Sequence, residues 1–331
     1  MKILMSALAV ERHAAAIRKV APDAELIPVP PEGPLPDPRG ATIAFTTRDL
    51  IEKGTRENPA PEIRRFAELL GGARDLQWVH VHAAGVDGQV LRQLASRPEI
   101  RLTTSAGASA PAVAQSVLAG MLALARHFPL LAELQRRRAW EPLYLKQPLP
   151  RSLRGQQVLV VGTGPIGQEV GRLCQAFGMR SLGARRSPEA GLPPGFDEVC
   201  AYRDLARLLP RADWLVLACP LTDETRYLID ARALALLPEG AGLINVARGN
   251  VVVEEDMVAA LRGGRLLGAY LDVFAREPLP KDSPLWDMPN VLISPHSAAA
   301  MEGLPYLVAE LFCENLRRWI AGEPLRNLVS H

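Results

Sequence analysis

Short apolar runs separated by polar turns recur through the first hundred residues. Runs at 2–6, 25–29, 42–46, 78–82 and 100–103 have the length of strands, and segments 62–70 and 90–95 read as the helices between them. Strand and helix in alternation predict a parallel sheet with crossovers. Residues 28–38 hold six prolines, and since proline offers no backbone donor this segment is expected on the surface as a loop. From Pro111 one long helix is expected to about Arg137, with proline at its start, where a missing N–H costs least. Trp140-Glu141-Pro142 and the irregular stretch 147–152 read as a connector. A second alternating series then predicts strands at 157–161, 180–183, 214–218, 242–245, 268–271 and 291–294.

Composition narrows the class. The length of 331 residues suits two domains, and 48% hydrophobic with 22% charged residues argues against global disorder. The formal charge of +2, from 38 basic and 36 acidic residues, leaves no electrostatic footprint for nucleic acid. The densest basic run, Arg136, Arg137 and Arg138, reads as a solvated face near a helix end. Cys174, Cys200, Cys219 and Cys313 are widely spaced with no CxxC pair, which excludes a disulfide framework or zinc ribbon and suits a reducing cytoplasm. No metal site is expected. Met1-Lys2-Ile3-Leu4-Met5 reads as a first strand, because the apolar stretch ends at Glu11-Arg12 without a cleavage site. The weakly polar stretch 112–125 falls short of the roughly 20 residues of a membrane span and reads as a buried helix.

The first chemical signal is a glycine-rich turn. Val158-Leu159-Val160-Val161 runs into Gly162-Thr163-Gly164-Pro165-Ile166-Gly167, followed by a helical pattern through Phe177 and another strand. This is GxGxxG in the strand–turn–helix setting of a dinucleotide site. Gly162 permits the tight turn, Gly164 lets the backbone approach a pyrophosphate, and Gly167 lets the helix pack on the strand. The N–H groups at the helix start would then meet the phosphate charge. At the end of the next strand, where an acid commonly reads the ribose 2′-hydroxyl, the sequence has Arg185-Arg186-Ser187. Two guanidiniums and a hydroxyl suit a 2′-phosphate, so NADP is expected ahead of NAD. The bland alternative is a pair of surface arginines stacking on adenine.

Three further strand ends carry reactive groups. Arg248 follows one strand in Asn245-Val246-Ala247-Arg248-Gly249, Glu277 follows the next in the segment 272–279, and His296 follows the last in Ser294-Pro295-His296. Ligands of open α/β sheets bind outside the carboxyl ends of strands. Reduction of a keto acid needs a cation for the carboxylate, a proton donor for the carbonyl oxygen and a hydride. Arg248 offers paired donors, His296 a proton near neutrality, and Glu277 a carboxylate that would orient the ring and stabilise the imidazolium. Singly, each has an ordinary reading as a loop ion pair or a surface polar group; three strand ends behind a nucleotide turn favour the chemical one.

These segments resemble the D-2-hydroxyacid dehydrogenase family, in its shorter glyoxylate/hydroxypyruvate reductase-like branch. The resemblance runs from about His80 to Asn327 through Ala84-Gly85-Val86-Asp87, the glycine turn, Cys219-Pro220-Leu221-Thr222-Asp223-Glu224-Thr225, the stretches 245–249 and 272–279, Ser283-Pro284-Leu285-Trp286, Pro289-Asn290-Val291 and Pro295-His296. It implies that Arg248, Glu277 and His296 form the catalytic set and that the amides of Ala84 and Gly85 hold the substrate carboxylate. It further implies cofactor contacts at Pro165, Ile166, Cys219, Pro220, Val246, Ala247, Asp272 and His296, and a homodimer with the 111–137 region in its interface. Two positions depart from the family pattern: Arg185 replaces the usual acid, and Ala114-Gln115 replaces the common Ala-Glu pair.

The expected fold is therefore α/β, with two doubly wound Rossmann-like domains of parallel strands and a cleft between them. Residues 1–105 and 300–331 would form a discontinuous substrate domain, and 106–299 the dinucleotide-binding domain. The expected function is hydride transfer between NADP(H) and a small 2-keto or D-2-hydroxy acid in the cytoplasm, without nucleic-acid or membrane partners. The substrate's side chain is expected against the N-terminal domain, residues 140–144, Met301 and Tyr306. The alternatives are a dinucleotide-sensing protein resembling the C-terminal-binding corepressors, or a formate or phosphite dehydrogenase. Glu277 argues against the formate reading, since formate dehydrogenases of the family typically have glutamine there.

Overall fold

The computed structural model describes residues 1–50, 60–86, 89–146 and 148–329. Asp87, in the 84–87 pattern, and Gln147, at the head of the predicted connector, lie outside the described residues. The chain forms two compact units, Met1–Ala108 with Met301–His331, and Ser109–Ala300.

The first unit holds strands β1 (Lys2–Ser6), β2 (Glu25–Val29), β3 (Ala41–Thr46), β4 (Trp78–Val81) and β5 (Arg101–Thr104), all parallel in the order β2-β1-β3-β4-β5. Alternate residues serve opposite faces of the sheet. Leu4, Ala44, Val79 and Val81 pack with Ile63, Phe66 and Leu70 of helix α2 (Pro61–Gly72). Ile3, Met5, Phe45 and Trp78 pack with helix α1 (Ala7–Val20) and with the last helix of the chain, 304–321. Ser6 starts α1, its hydroxyl accepting from the N–H of Ala9 at 3.0 Å. A short helix α3 (Gln89–Ala95) lies between β4 and β5.

The second unit opens with helices α4 (Ala110–Ala125) and α5 (Phe128–Arg136). The single helix expected over 111–137 is broken. His127 takes a left-handed φ of 57°, and Pro129, in the first turn of α5, cannot donate to the carbonyl of Ala125. That carbonyl instead accepts from the N–H of Arg151 at 2.8 Å, and the two helices meet at a bend of 66°. Among the described residues no single helix is long and apolar enough to cross a membrane.

Strands β6 (Gln157–Val161), β7 (Arg180–Arg185), β8 (Glu198–Ala201), β9 (Trp214–Leu217), β10 (Ala241–Asn245), β11 (Leu266–Leu271) and β12 (Val291–Ile293) form a parallel sheet ordered β12-β11-β10-β9-β6-β7-β8. Helix α6 (Pro165–Ala176) joins β6 to β7. The chain then builds outward to β8 before returning to the other side of β6 with β9, so strand order reverses at β6/β9, where doubly wound folds bind ligands. Leu159, Leu215, Leu243 and Leu271 face helices α7 (Ala231–Leu236) and α8 (Glu254–Arg262), while Val158, Val160, Val216 and Ile244 face α4 and α6. The last helix among the described residues is α9 (Leu304–Ala321), whose Leu304, Val308, Phe312 and Leu316 belong to the core of the first unit. Phe312 stacks on Phe45 and Trp78 there, with ring centroids 4.4 and 5.2 Å apart.

Candidate active site and nucleotide turn

The glycine turn obeys the constraints read from its spacing. Gly162 has φ +102°, and a Cβ there would lie 2.6 Å from the amide nitrogen of Cys219, so the ends of β6 and β9 approach too closely for any side chain. A Cβ on Gly167 would fall 2.0 Å from the carbonyl oxygen of Gly162, so α6 packs directly against the turn. Gly164 differs: its side-chain direction is open space, and no side chain caps α6. An open cradle facing an uncapped helix N-terminus fits a pyrophosphate. Gly164 and Pro165 are exposed and Ile166 half-buried; Cys219 is buried behind the turn and Pro220 exposed in front of it.

Arg185 ends β7 half-buried, and Arg186 and Ser187 follow it, exposed. Arg186 donates its Nε–H to Oε2 of Glu224 at 2.7 Å. Tyr202 lies within electrostatic reach of Arg185, Arg186 and Glu224, and burial pushes its phenol up to about 12.

At the other side of the sheet, one side chain shapes each loop. Asn245, buried at the end of β10, accepts from the N–H of Ala247 at 3.0 Å and donates to the carbonyl of Arg248 at 3.2 Å. This closes a turn with Val246 and Ala247 buried and Arg248 half-buried at its tip. Arg248 Nη1 donates to the carbonyl of Ala247 at 2.6 Å. A Cβ on Gly249 would fall 1.9 Å from the carbonyl carbon of Phe274, so the arginine loop touches the backbone of the glutamate loop. Asp272, buried after β11, accepts at Oδ1 from the Ser294 hydroxyl at 2.5 Å and from the amides of Ser297 and Ala298 at 2.7 and 2.9 Å. Its own carbonyl accepts from the N–H of His296 at 2.9 Å.

The loop so fixed carries His296 at φ +52°, a left-handed conformation costly for a non-glycine residue and sustained only where the surroundings impose it. Its Nδ1 meets Oε2 of Glu277 at 2.8 Å, and Oε1 of that carboxylate accepts from the N–H of Phe274 at 3.1 Å. Glu277 thus sets the ring's orientation and leaves Nε2 as the nitrogen it does not engage. The second unit brings together Glu277, His296 and Asp272, and holds the Arg248 loop against the Glu277 loop. Ala84 and Gly85 belong to the first unit, just past β4. Asn245 and Ser294 as shapers of these loops were not anticipated; a polar residue at each strand's end was the available signal.

Beneath the 82–86 loop lies a directed chain of buried polar groups. Trp78 Nε1–H donates to the Thr103 hydroxyl at 2.8 Å, which donates to His80 Nδ1 at 2.8 Å. His80 Nε2–H donates to Ser105 Oγ at 3.1 Å, and Ser105 donates to the carbonyl of Val81 at 2.9 Å. Since the Val81 carbonyl can only accept, the Ser105 proton is committed and the tautomer follows. The Ser105 amide also donates to the carbonyl of Ala83 at 3.0 Å, tying this chain to the loop that bears Ala84. Burial pushes His80 down to about 3 and His82, with Arg48 beside it, to about 4.

Residues 118–298, more than half of the chain, match the NAD binding domain of the D-isomer specific 2-hydroxyacid dehydrogenases. The chain belongs to that family. A glyoxylate reductase of Aeropyrum pernix is 36% identical over 270 residues, covering 80% of this chain and 79% of that protein. A D-isomer specific 2-hydroxyacid dehydrogenase from Xanthobacter autotrophicus, solved in complex with NADPH and MES, aligns at TM-score 0.79 and 31% identity, covering 99% of this chain and 97% of its own. An NADPH-dependent glyoxylate/hydroxypyruvate reductase from Sinorhizobium meliloti, solved with NADP and sulfate, aligns at TM-score 0.78 and 27% identity, covering 99% and 98%. This 2-hydroxyacid dehydrogenase is accordingly an NAD(P)-dependent oxidoreductase, and the sensing-protein and formate-type readings are not favoured.

Proposed function

We propose that this enzyme reduces a small 2-keto acid of the glyoxylate or hydroxypyruvate type to the 2-hydroxy acid, with NADPH preferred over NADH. The observation that carries the reading is the His296–Glu277 pair at 2.8 Å, held on a strained loop at the end of the sheet that also carries the glycine turn. NADPH, when bound, supplies the hydride. His296 then gives its proton to the carbonyl oxygen, Glu277 stabilises and orients the ring, and Arg248 grips the substrate carboxylate. In the first unit, the amides of Ala84 and Gly85 are assigned to substrate binding.

The pyrophosphate falls to Gly162, Gly164, Pro165, Ile166 and Gly167, and the 2′-phosphate to Arg185, Arg186 and Ser187. Cys219, Pro220, Val246, Ala247 and Asp272 line the rest of the cofactor. In this reading the first unit is the substrate domain and the second the dinucleotide domain. A homodimer is supported by exposed apolar side chains on and after α5: Phe128, Leu131, Trp140, Tyr144 and Leu145. Four buried, free cysteines suit a reducing compartment. The test is His296→Asn assayed with glyoxylate and hydroxypyruvate: kcat should fall at least ~10²-fold with NADPH affinity nearly unchanged. Retained turnover in the folded variant would end the assignment.

A further inference from the structure

The end of β7 has no acid of its own, yet a carboxylate reaches it from another part of the sheet. Glu224 lies in the segment after β9, 38 positions beyond Arg186, and its Oε2 accepts from Arg186 Nε at 2.7 Å. The two side chains are 54% and 64% exposed, so the pair stands in solvent at the mouth of the nucleotide turn. Tyr202, half-buried, lies within electrostatic reach of Arg185, Arg186 and Glu224. A guanidinium is a rigid planar fork, and a partner on Nε fixes the plane while the Nη end remains a second face for paired donation.

We propose that Glu224 is a positioning residue for cofactor choice, holding Arg186 by its Nε edge so that the Nη end is set for a 2′-phosphate. This rests on the NADPH reading above. Two effects of opposite sign compete. The carboxylate repels the phosphate, but across the width of a guanidinium and at such exposure solvent and salt screen that repulsion strongly. An unrestrained arginine, by contrast, has among the largest side-chain entropies and must surrender it on gripping the phosphate. Ordering the side chain beforehand removes that cost, as preorganisation does generally. Orientation therefore outweighs repulsion, and loss of Glu224 weakens selection for the phosphate.

The test compares Glu224→Ala and Glu224→Gln with wild type and with Arg185→Ala/Arg186→Ala. Calorimetry measures binding of adenosine 2′,5′-bisphosphate against 5′-AMP, and kinetics measure kcat/KM for NADPH against NADH. Glu224→Ala should lower both ratios about two- to fivefold, through the dissociation constant and KM, with Glu224→Gln falling between because its amide oxygen still accepts. Adding Glu224→Ala to an Arg186→Ala background should change neither ratio further. Unchanged or raised ratios in Glu224→Ala overturn the proposal, as does an equal loss for both ligands. Failure of the NADPH reading is distinguishable: Arg185→Ala/Arg186→Ala would then leave both ratios at the wild-type value.

Discussion

Acid should unfold this protein through His80, and the size of the effect follows from its setting. The ring has no solvent exposure, and its pKa is pushed from an ordinary 6.5 down to about 3, first by burial and then by His82. The hydrogen-bond chain adds a reason: a second ring proton would turn the Thr103 hydroxyl away from Nδ1, and Thr103 already accepts from Trp78. The folded state thus keeps His80 neutral where the unfolded chain protonates it. With the folded pKa below the unfolded one, stability is full above pH 6.5, falls as the pH drops below it, and levels off near pH 3. Each pH unit in that window costs about 1.4 kcal/mol, so at pH 4.5 the loss from this one ring is about 3 kcal/mol, a substantial share of a typical domain's stability. Denaturant midpoints measured from pH 7.5 to 4.5 on wild type and His80→Gln would test it. The amide of glutamine can donate to Ser105 and accept from Thr103 without titrating, so the variant's profile should be shallower by that amount, and the slope due to His82 is common to both. Parallel profiles would refute the reasoning, whatever the variant's absolute stability.

Two other expectations are direct. Gly167→Ala would drive a methyl to 2.0 Å from the Gly162 carbonyl, so it should cost about 2–4 kcal/mol in urea unfolding and abolish dinucleotide binding; a stable variant with normal NADPH affinity would contradict the packing described. Arg248→Lys should lower kcat/KM for 2-keto acids roughly 10²-fold, because an ammonium copies a paired donor poorly; near-normal kinetics would place the carboxylate's partner elsewhere.

Most strands of both sheets were legible because they are short apolar runs, the central ones buried on two faces, punctuated by polar turns. The strand β8 escaped because it is a four-residue edge strand, Glu198–Ala201, with one charged position and little apolar run. Helices α1 and α9 also escaped, although Leu304, Val308, Phe312 and Leu316 recur every four residues along one buried face. The broken helix had its signal in Pro129, whose weight against a continuous apolar pattern depends on whether tertiary structure supplies another donor, here Arg151, for the freed carbonyl. At the candidate site, residue types at strand ends pointed to Arg248, Glu277 and His296, and the structure pairs Glu277 with His296 and sets the Arg248 loop against the Glu277 loop. The supporting contacts were illegible for a different reason. That Gly249 must touch Phe274, or that Glu224 reaches Arg186, depends on how distant loops meet, which no local pattern encodes.

The order of the larger sheet has a consequence for how such an enzyme diverges. From β7, whose end bears Arg185, the chain's neighbours run through β6 and β9 to β10, whose end bears the Arg248 turn. Three strand spacings of roughly 4.8 Å put about 14 Å between these two corners, beyond the range at which substitutions usually couple. On the assignments proposed above, exchanging one nicotinamide cofactor for the other therefore requires no renegotiation with the groups given the proton and the carboxylate. A lineage can follow the redox currency of its host at one corner while the reaction at the opposite corner stays fixed, and the effects of changes at the two should multiply independently in kcat/KM.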